Sequence, residues 1–187
     1  MQRGLRAAGG GRLVACDIQQ TALDAAKARL RGASDGAEDA WAWSERVDGA
    51  VAEERWLLDA RDEQLCVEWR LGCHVDMLRA LPDACARLVV FNCGYLPGAD
   101  KSVVTDATTT VRALREAERV VCAGGTVSVT LYPGHEEGMR EEAAVLAHAT
   151  DELVQDSWSV YHHVWLNQRN KRTGHRAPSL VLLQRLH

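Results

Sequence analysis

The stretch VVFNCGYLPGADKSVVT, Val89 to Thr105, decides the fold. It opens as an unbroken apolar run, the mark of a strand buried on both faces. It stops at Asn92 and turns into a glycine-rich loop that holds Tyr95. A buried strand feeding a polar, glycine-bearing loop is the unit of a parallel sheet, and the segments on either side repeat it.

Toward the C-terminus, TDATTTVRALREAERVVCAGG predicts a helix from about Thr105 to Val121, closed by Gly124 and Gly125 as a C-cap. TVSVTLYPG reads as a strand. HEEGMREEAAVLAHATDEL reads as a helix with acids in its first turns, where the macrodipole favours them. SWSVYHHVWLNQ and PSLVLLQRL close the chain as two strands around a polar loop. Their connection is too short for a parallel crossover, so they should form an antiparallel hairpin. Toward the N-terminus, LCVEWRLGC is a strand followed by the short helix VDMLRALP. GRLVACDI is another strand, and TALDAAKARL a helix with Thr21 as its N-cap and apolar residues at Leu23, Ala26 and Leu30. Residues 31–64 break the pattern. They are acidic, rich in Ala and Gly, and carry Trp41, Trp43 and Trp56. We read them as an insertion, partly helical near its end, attached by those tryptophans or using them to bind. Alternating strands and helices imply an α/β fold with a mostly parallel sheet covered on both faces. The expected organisation is a single domain over residues 1–187.

Composition agrees with a soluble globular chain: 47% hydrophobic and 26% charged residues, with no apolar run of membrane-spanning length. The first twelve residues have no apolar core of a secretory signal. A net charge of -4 argues against a general nucleic-acid coat but leaves room for a local basic patch. The six cysteines show no CxxC pair and no zinc-ligand spacing, so no metal is expected. A reducing compartment is the simple expectation, cytoplasmic or organellar.

In an open parallel sheet, ligands bind beyond the carboxyl ends of the strands. Asp17 ends the first strand, where its carboxylate can accept from both ribose hydroxyls of a nucleoside cofactor; it can equally be a turn or cap residue. His74 and Asp76 follow the next strand, where an adenine ring would lie, or else Asp76 caps the short helix and His74 is solvated. Asn92 and the backbone carbonyl after it can accept the N–H bonds of an amine and aim its lone pair, as an in-line methyl transfer requires. Tyr95 can stack on a flat base. A simple turn would use the same Asn and Gly. His135 can accept a proton from an alkylammonium substrate, or simply begin a helix with Glu136 and Glu137. The loop WLNQRNKRTGHRAP, Trp165 to Pro178, returns to the same edge. Arg169, Lys171, Arg172 and Arg176 make it locally basic, and Asn167, Gln168 and Asn170 can reach base edges; otherwise it is a solvated loop. His162 and His163 fall within a strand and read as packing residues.

Asn92 to Tyr95 resembles the N-P-P-Y signature of amino-group methyltransferases, with Cys93 and Gly94 in place of the prolines. Taken in order, ACDIQ, FNCGYLPGADKSVVT, TTTVRAL, GGTVSVTLYPGHEEG and LNQRN are similar to the rRNA methylase family, over about residues 11–30 and 65–186. The resemblance implies a Rossmann-like class I fold that uses S-adenosylmethionine (SAM). It implies a tRNA substrate, methylated on the amine of 5-aminomethyl-2-thiouridine at the wobble position of the anticodon. It places Asp17 on the SAM ribose, with His74, Asp76, Asn92 and Gly94 also lining the cofactor. Asn92 and Tyr95 would position the amine, and Lys101, His135, Asn167, Gln168 and Arg169 would meet the RNA. No membrane partner is implied, and a homodimer is left open. Members of that family begin with a strand carrying D-A-T-x-G-N-G, whose loop cradles the methionine part of SAM. Here ten residues precede GRLVACDI, so the expected sheet lacks its first strand and helix. Three rival readings stay open. One is an rRNA or small-molecule amine methyltransferase. Another is a non-catalytic RNA-binding relative without the glycine loop. The last, a nicotinamide oxidoreductase, leaves Asn-x-x-Tyr without a purpose.

Overall fold

The computed structural model describes residues 11–32, 42–47, 53–60, 63–92, 106–169, 174 and 176–187, with the backbone alone for 31–32, 42–47, 53–60 and 63–65. The chain divides into two compact units, Met1–Met77 and Leu78–His187.

In the first unit, β1 (Gly11–Asp17), β2 (Ala42–Val47), β3 (Glu53–Ala60) and β4 (Glu63–Leu71) form a sheet of order β1-β4-β3-β2. β1 and β4 are parallel, with Asp17 opposite Leu71. β3 is antiparallel to β2 and to β4. Only residues 61 and 62 separate β3 from β4, a link short enough only to reverse direction. Helix α1 (Gln20–Gly32) lies on the sheet through the expected stripe. Leu23, Ala26 and Leu30 pack with Leu13, Ala15, Val67 and Trp69, alternate strand residues meeting a 3.6-residue period. The Lys27 ammonium sits 5.9 Å from the Trp69 ring centre, within cation–π range.

Two expectations change here. The insertion is not helical near its end: Glu53–Ala60 is a strand, paired on both sides. Thr21 is not the N-cap, because α1 already begins at Gln20 and the Gln19 carbonyl accepts from the Ala22 and Leu23 amides.

Helix α2 (His74–Arg79) leads into the second unit. There β5 (Ala86–Asn92), β6 (Val121–Leu131), β7 (Trp158–His163) and β8 (Ser179–Arg185) form a sheet of order β5-β6-β8-β7. β5 and β6 are parallel, and β8 is antiparallel to both β6 and β7, so the expected terminal hairpin is present. By pairings the described sheets are less parallel than expected: two pairs of six are parallel. The difference comes from the β2–β3 strands and from β8, which is inserted between β6 and β7.

Helices α3 (Ala107–Val120) and α4 (Glu136–Asp151) pack on each other and on β6. Ala113, Leu114, Ala117 and Val120 of α3 are fully buried, as are Val127, Val129 and Leu131 of β6 and Val181 and Leu183 of β8. The expected glycine C-cap is also corrected. α3 passes directly into β6 at an extended Val121. Gly124 and Gly125 instead lie in an irregular part of β6, where the register jumps from Ala86–Val121 to Leu88–Thr126. Gly124 has φ +73, and a Cβ on Gly125 would come within 2.9 Å of the Arg87 carbonyl oxygen, so a side chain would be strained at the first and crowded at the second. Arg119 takes over the end of α2, donating to the carbonyls of Leu78 and Leu81, each at 3.0 Å, and pairing with Asp83.

Buried His148 of α4 sits between two acids, its Nε2 2.5 Å from Glu118 of α3 and its Nδ1 3.1 Å from Glu152. The Glu118 hydrogen bond, opposed by burial and reinforced by the charges of Glu118 and Glu152, raises its pKa above the ordinary 6.5. A group whose folded pKa is raised stabilises fully below the unfolded value, and its contribution fades as pH climbs through the folded one. The melting-temperature gap between wild type and His148→Gln should therefore be widest below the ordinary histidine value of about 6.5 and narrow as pH rises above it. A gap that widens with rising pH would show that the charge on His148 does not stabilise the fold. In the same core, Leu114→Ala should remove roughly 2–5 kcal/mol of unfolding free energy, measurable by urea titration.

Candidate active site

Because β1 and β4 are parallel, their carboxyl ends emerge on one edge of the first unit. Asp17 ties those ends together. Its carbonyl accepts the Gly72 amide at 2.9 Å, and its Oδ1 accepts the Gln19 amide at 2.8 Å. The turn role is thus real, yet a carboxylate has about four acceptor positions, so one backbone bond leaves capacity for hydroxyl donors. His74 opens α2 half-buried, and Asp76 is exposed in its first turn. Both follow β4 directly and so share the Asp17 edge. Next to Asp17, the Cys16 thiol donates to the Gly72 carbonyl at 3.2 Å. Burial, then the charge of Asp17 and the proximity of Cys73, push its pKa up to about 11, which makes it a packing group and not a nucleophile.

The second unit has its own carboxyl edge. β5 ends at Asn92, paired with Thr130 of β6, and two residues later the Tyr132 hydroxyl donates to Asn92 Oδ1 at 2.8 Å. This bond fixes the amide plane of Asn92 and leaves its oxygen a second lone pair. Tyr132 is held in turn by the segment after it. His135 is the N-cap of α4, its Nδ1 accepting the Gly138 amide at 3.0 Å. This folds the first turn of α4 onto Tyr132 so closely that a Cβ on Gly138 would lie 2.1 Å from the Tyr132 carbonyl oxygen. The Tyr-x-Gly-His-Glu-x-Gly spacing is therefore a tight corner. It also agrees with the helix-start alternative for His135: with Nδ1 accepting the Gly138 amide, a neutral ring in this geometry carries its proton on Nε2. Glu136 and Glu137 pair with Arg140 at 2.5 and 3.0 Å on the exposed side of the helix.

β7 runs parallel to β5 and β6, so the loop after it returns to the Asn92 edge. Asn167, Gln168 and Arg169 are exposed there. The Gln168 carbonyl accepts the Ala177 amide at 3.3 Å, and Arg169 bridges Arg176. Arg176 is not the free positive charge expected. It is paired with Glu142 of α4, a buried carboxylate that also accepts the Ser179 hydroxyl at 2.7 Å and lies 3.7 Å from His162 Nε2. His162 and His163 are exposed, not packing residues. Gly94, Tyr95, Lys101, Asn170, Lys171 and Arg172 lie outside the described residues.

Sequence reasoning gave no role to Tyr132, within the GGTVSVTLYPGHEEG segment, or to Glu142. A signal existed for the latter. Gly138, Glu141, Glu142, Val145, His148 and Ala149 form the buried stripe of α4, and carboxylates at core spacing demand partners.

The parallel β1–β4 and β5–β6 pairs, with helices α1 to α4 between strands and a closing antiparallel hairpin, make a mixed α/β fold resembling the class I SAM-dependent methyltransferases. The family model "Putative rRNA methylase" matches residues 47–178, and the chain belongs to that family. A curated relative, the chloroplastic tRNA (mnm(5)s(2)U34)-methyltransferase of Arabidopsis thaliana, is 33% identical over 160 residues, 85% of this chain and 49% of that protein. The chain thus spans about half the length of the curated relative it matches. Two solved structures share the fold. A "putative rRNA-methylase" from Clostridium thermocellum has TM-score 0.69 and 24% identity, over 94% of this chain and 76% of that one. A "putative methyltransferase" from Streptococcus mutans, in complex with SAH, has TM-score 0.64 and 25% identity over the same shares.

Gly138→Ala should lower stability by roughly 1–3 kcal/mol, the cost of overpacking a closed contact, and should loosen Tyr132 from Asn92. Thermal unfolding reads the first effect and near-ultraviolet circular dichroism the second. An unchanged melting temperature would mean that the corner has room the structure does not show.

Proposed function

We propose that the chain forms a single SAM-dependent N-methyltransferase domain acting on RNA, and that its target is the aminomethyl group of a tRNA wobble uridine. The observation that carries this reading is the Tyr132 to Asn92 hydrogen bond at the end of β5, in a chain of this family whose curated relative is a tRNA (mnm(5)s(2)U34)-methyltransferase.

SAM, when bound, supplies the electrophilic methyl group. The donor set fits such a group: Asp17 retains acceptor capacity for ribose hydroxyls at the edge it shares with His74 and Asp76. The rest falls to the chain's own side chains. Asn92 Oδ1, held on one side by Tyr132, accepts an N–H of the neutral amine with its remaining lone pair. The nitrogen lone pair is then aimed and not free to rotate, which is how positioning lowers a displacement barrier. A protonated amine cannot attack, and with His135 committed to its cap the ammonium proton leaves to solvent. In this reading Tyr95 stacks on the base, Gly94 lets the loop backbone approach the cofactor, and Lys101, Asn167, Gln168 and Arg169 contact the RNA.

The test is methyl transfer from labelled SAM to tRNA bearing 5-aminomethyl-2-thiouridine, with tRNA lacking the aminomethyl group as control. Asn92→Ala should cut kcat about 100-fold or more while SAM binding persists. Tyr132→Phe, which keeps the ring but frees the amide, should cut kcat by about tenfold. Undiminished turnover in Asn92→Ala would sink the proposal. RNA binding by the wild type without any transfer would favour the non-catalytic relative.

A further inference from the structure

The loop after β7 carries a feature that the methyl-transfer reading leaves unused. Val164, Trp165 and Leu166 are 40%, 62% and 87% exposed. A Trp is among the costliest side chains to leave in water, and neighbouring exposed apolar groups mark an interaction surface. Nor does the loop rest on them. Its neck is closed by the Ala177–Gln168 backbone bond and the Arg169–Arg176 bridge, and Arg176 and Ser179 are both anchored on buried Glu142. Among the described residues, no structural duty falls on these three exposed side chains.

Charge indicates what they meet. Exposed Arg169 donates to the Gly174 carbonyl at 3.4 Å, and no carboxylate among the described residues pairs with it. Lys171 and Arg172 follow it in sequence. A second copy of the chain would bring the same positive loop against this one, an unfavourable match of like charges. A polyanion with flat apolar faces satisfies both halves of the surface. Single-stranded nucleic acid does so through its bases and phosphates, and aromatic residues beside basic ones are how such strands are held.

We propose that Trp165, with Leu166 beside it, is a stacking platform for an unpaired RNA base, and that Arg169 takes an adjacent phosphate. The inference rests on the RNA reading above and deepens it: the substrate must present a splayed base near the reacting nucleotide, as a loop does and a duplex does not.

Fluorescence anisotropy with a labelled anticodon stem-loop RNA, without SAM, tests it. Trp165→Ala should weaken binding roughly tenfold or more, the usual consequence of losing one base–aromatic stack. Trp165→Phe should stay within about threefold of wild type, because the flat ring survives. A fully paired RNA of equal length should bind wild type and Trp165→Ala alike. Equal affinity of wild type and Trp165→Ala for the stem-loop overturns the proposal. So does a change of sedimentation in Trp165→Ala with RNA affinity intact, which would assign the surface to self-association. The two readings fail separately. Loss of stem-loop binding in Trp165→Ala, with turnover intact in Asn92→Ala, would refute the methyl-transfer site and keep the platform. The reverse pair of results would refute the platform alone.

Discussion

A carboxyl group withdrawn from water costs free energy unless donors meet it, and α4 withdraws two. Glu141 and Glu142 are 4% and 3% exposed, and His148 lies on the same stripe. Each must find a partner outside α4. Glu141 accepts the Thr110 hydroxyl of α3 at 2.6 Å, Glu142 takes Ser179 and Arg176, and His148 meets Glu118 of α3. Apolar packing alone would let α4 slide or rotate by a fraction of a turn with small loss. Four directional contacts, to α3, to β8 and to the loop before β8, do not. Breaking a buried pair from one side costs about 3–5 kcal/mol, against a few tenths for an exposed i,i+4 pair such as Arg140 with Glu136. The buried stripe, and not the ion pairing on the exposed face, sets the position of the helix.

Everything at the carboxyl edge of the second unit inherits that position. The first turn of α4 brings Gly138 against the Tyr132 carbonyl, Tyr132 orients Asn92, and Glu142 fixes the neck of the β7–β8 loop. Three parts of the proposed site therefore hang from one helix: the amide that would hold the amine, the hydroxyl that aims it, and the loop that would hold the RNA. Such an arrangement suits a reaction without a covalent intermediate, where the protein contributes angle and distance. It asks rigidity of a few side chains and leaves the loops to vary.

How much of this could be read from residues alone follows from the range of the forces involved. Periodicity is local, so α1 with its Leu23, Ala26 and Leu30 stripe was legible, as were β5, β6 and the β7–β8 hairpin. Asn92 at a strand end was legible because Gly and Pro punctuate the chain just after it. The β2–β3 strands were not. An acidic, alanine-bearing stretch has weak strand propensity, and its pairing with β4 is a tertiary choice. Gly124 and Gly125 looked like a cap because a cap and a strand irregularity ask the same of glycine. Arg176 looked like a phosphate ligand because its partner, Glu142, is 34 residues away in sequence, beyond any local pattern. The same distance hid the Tyr132–Asn92 bond, 40 residues apart.

That pairing of Arg176 bears on how an acidic chain could hold RNA at all. With a net charge of -4, long-range attraction to phosphate is weak or adverse, and one of the four cations of the hairpin loop is already neutralised by α4. A surface that bound RNA by Coulomb attraction alone would not give up a cation in this way. One that binds by shape would: the cation holds the loop in form, and exposed apolar groups on that loop gain from contact with a base at any ionic strength. Screening would fall on Arg169 and its neighbours, whereas the proposed stacking on Trp165 would be little affected by salt. On the proposed reading the acidic composition would work as a filter, disfavouring uniform duplex, whose main offer is charge, and tolerating a loop, which offers faces.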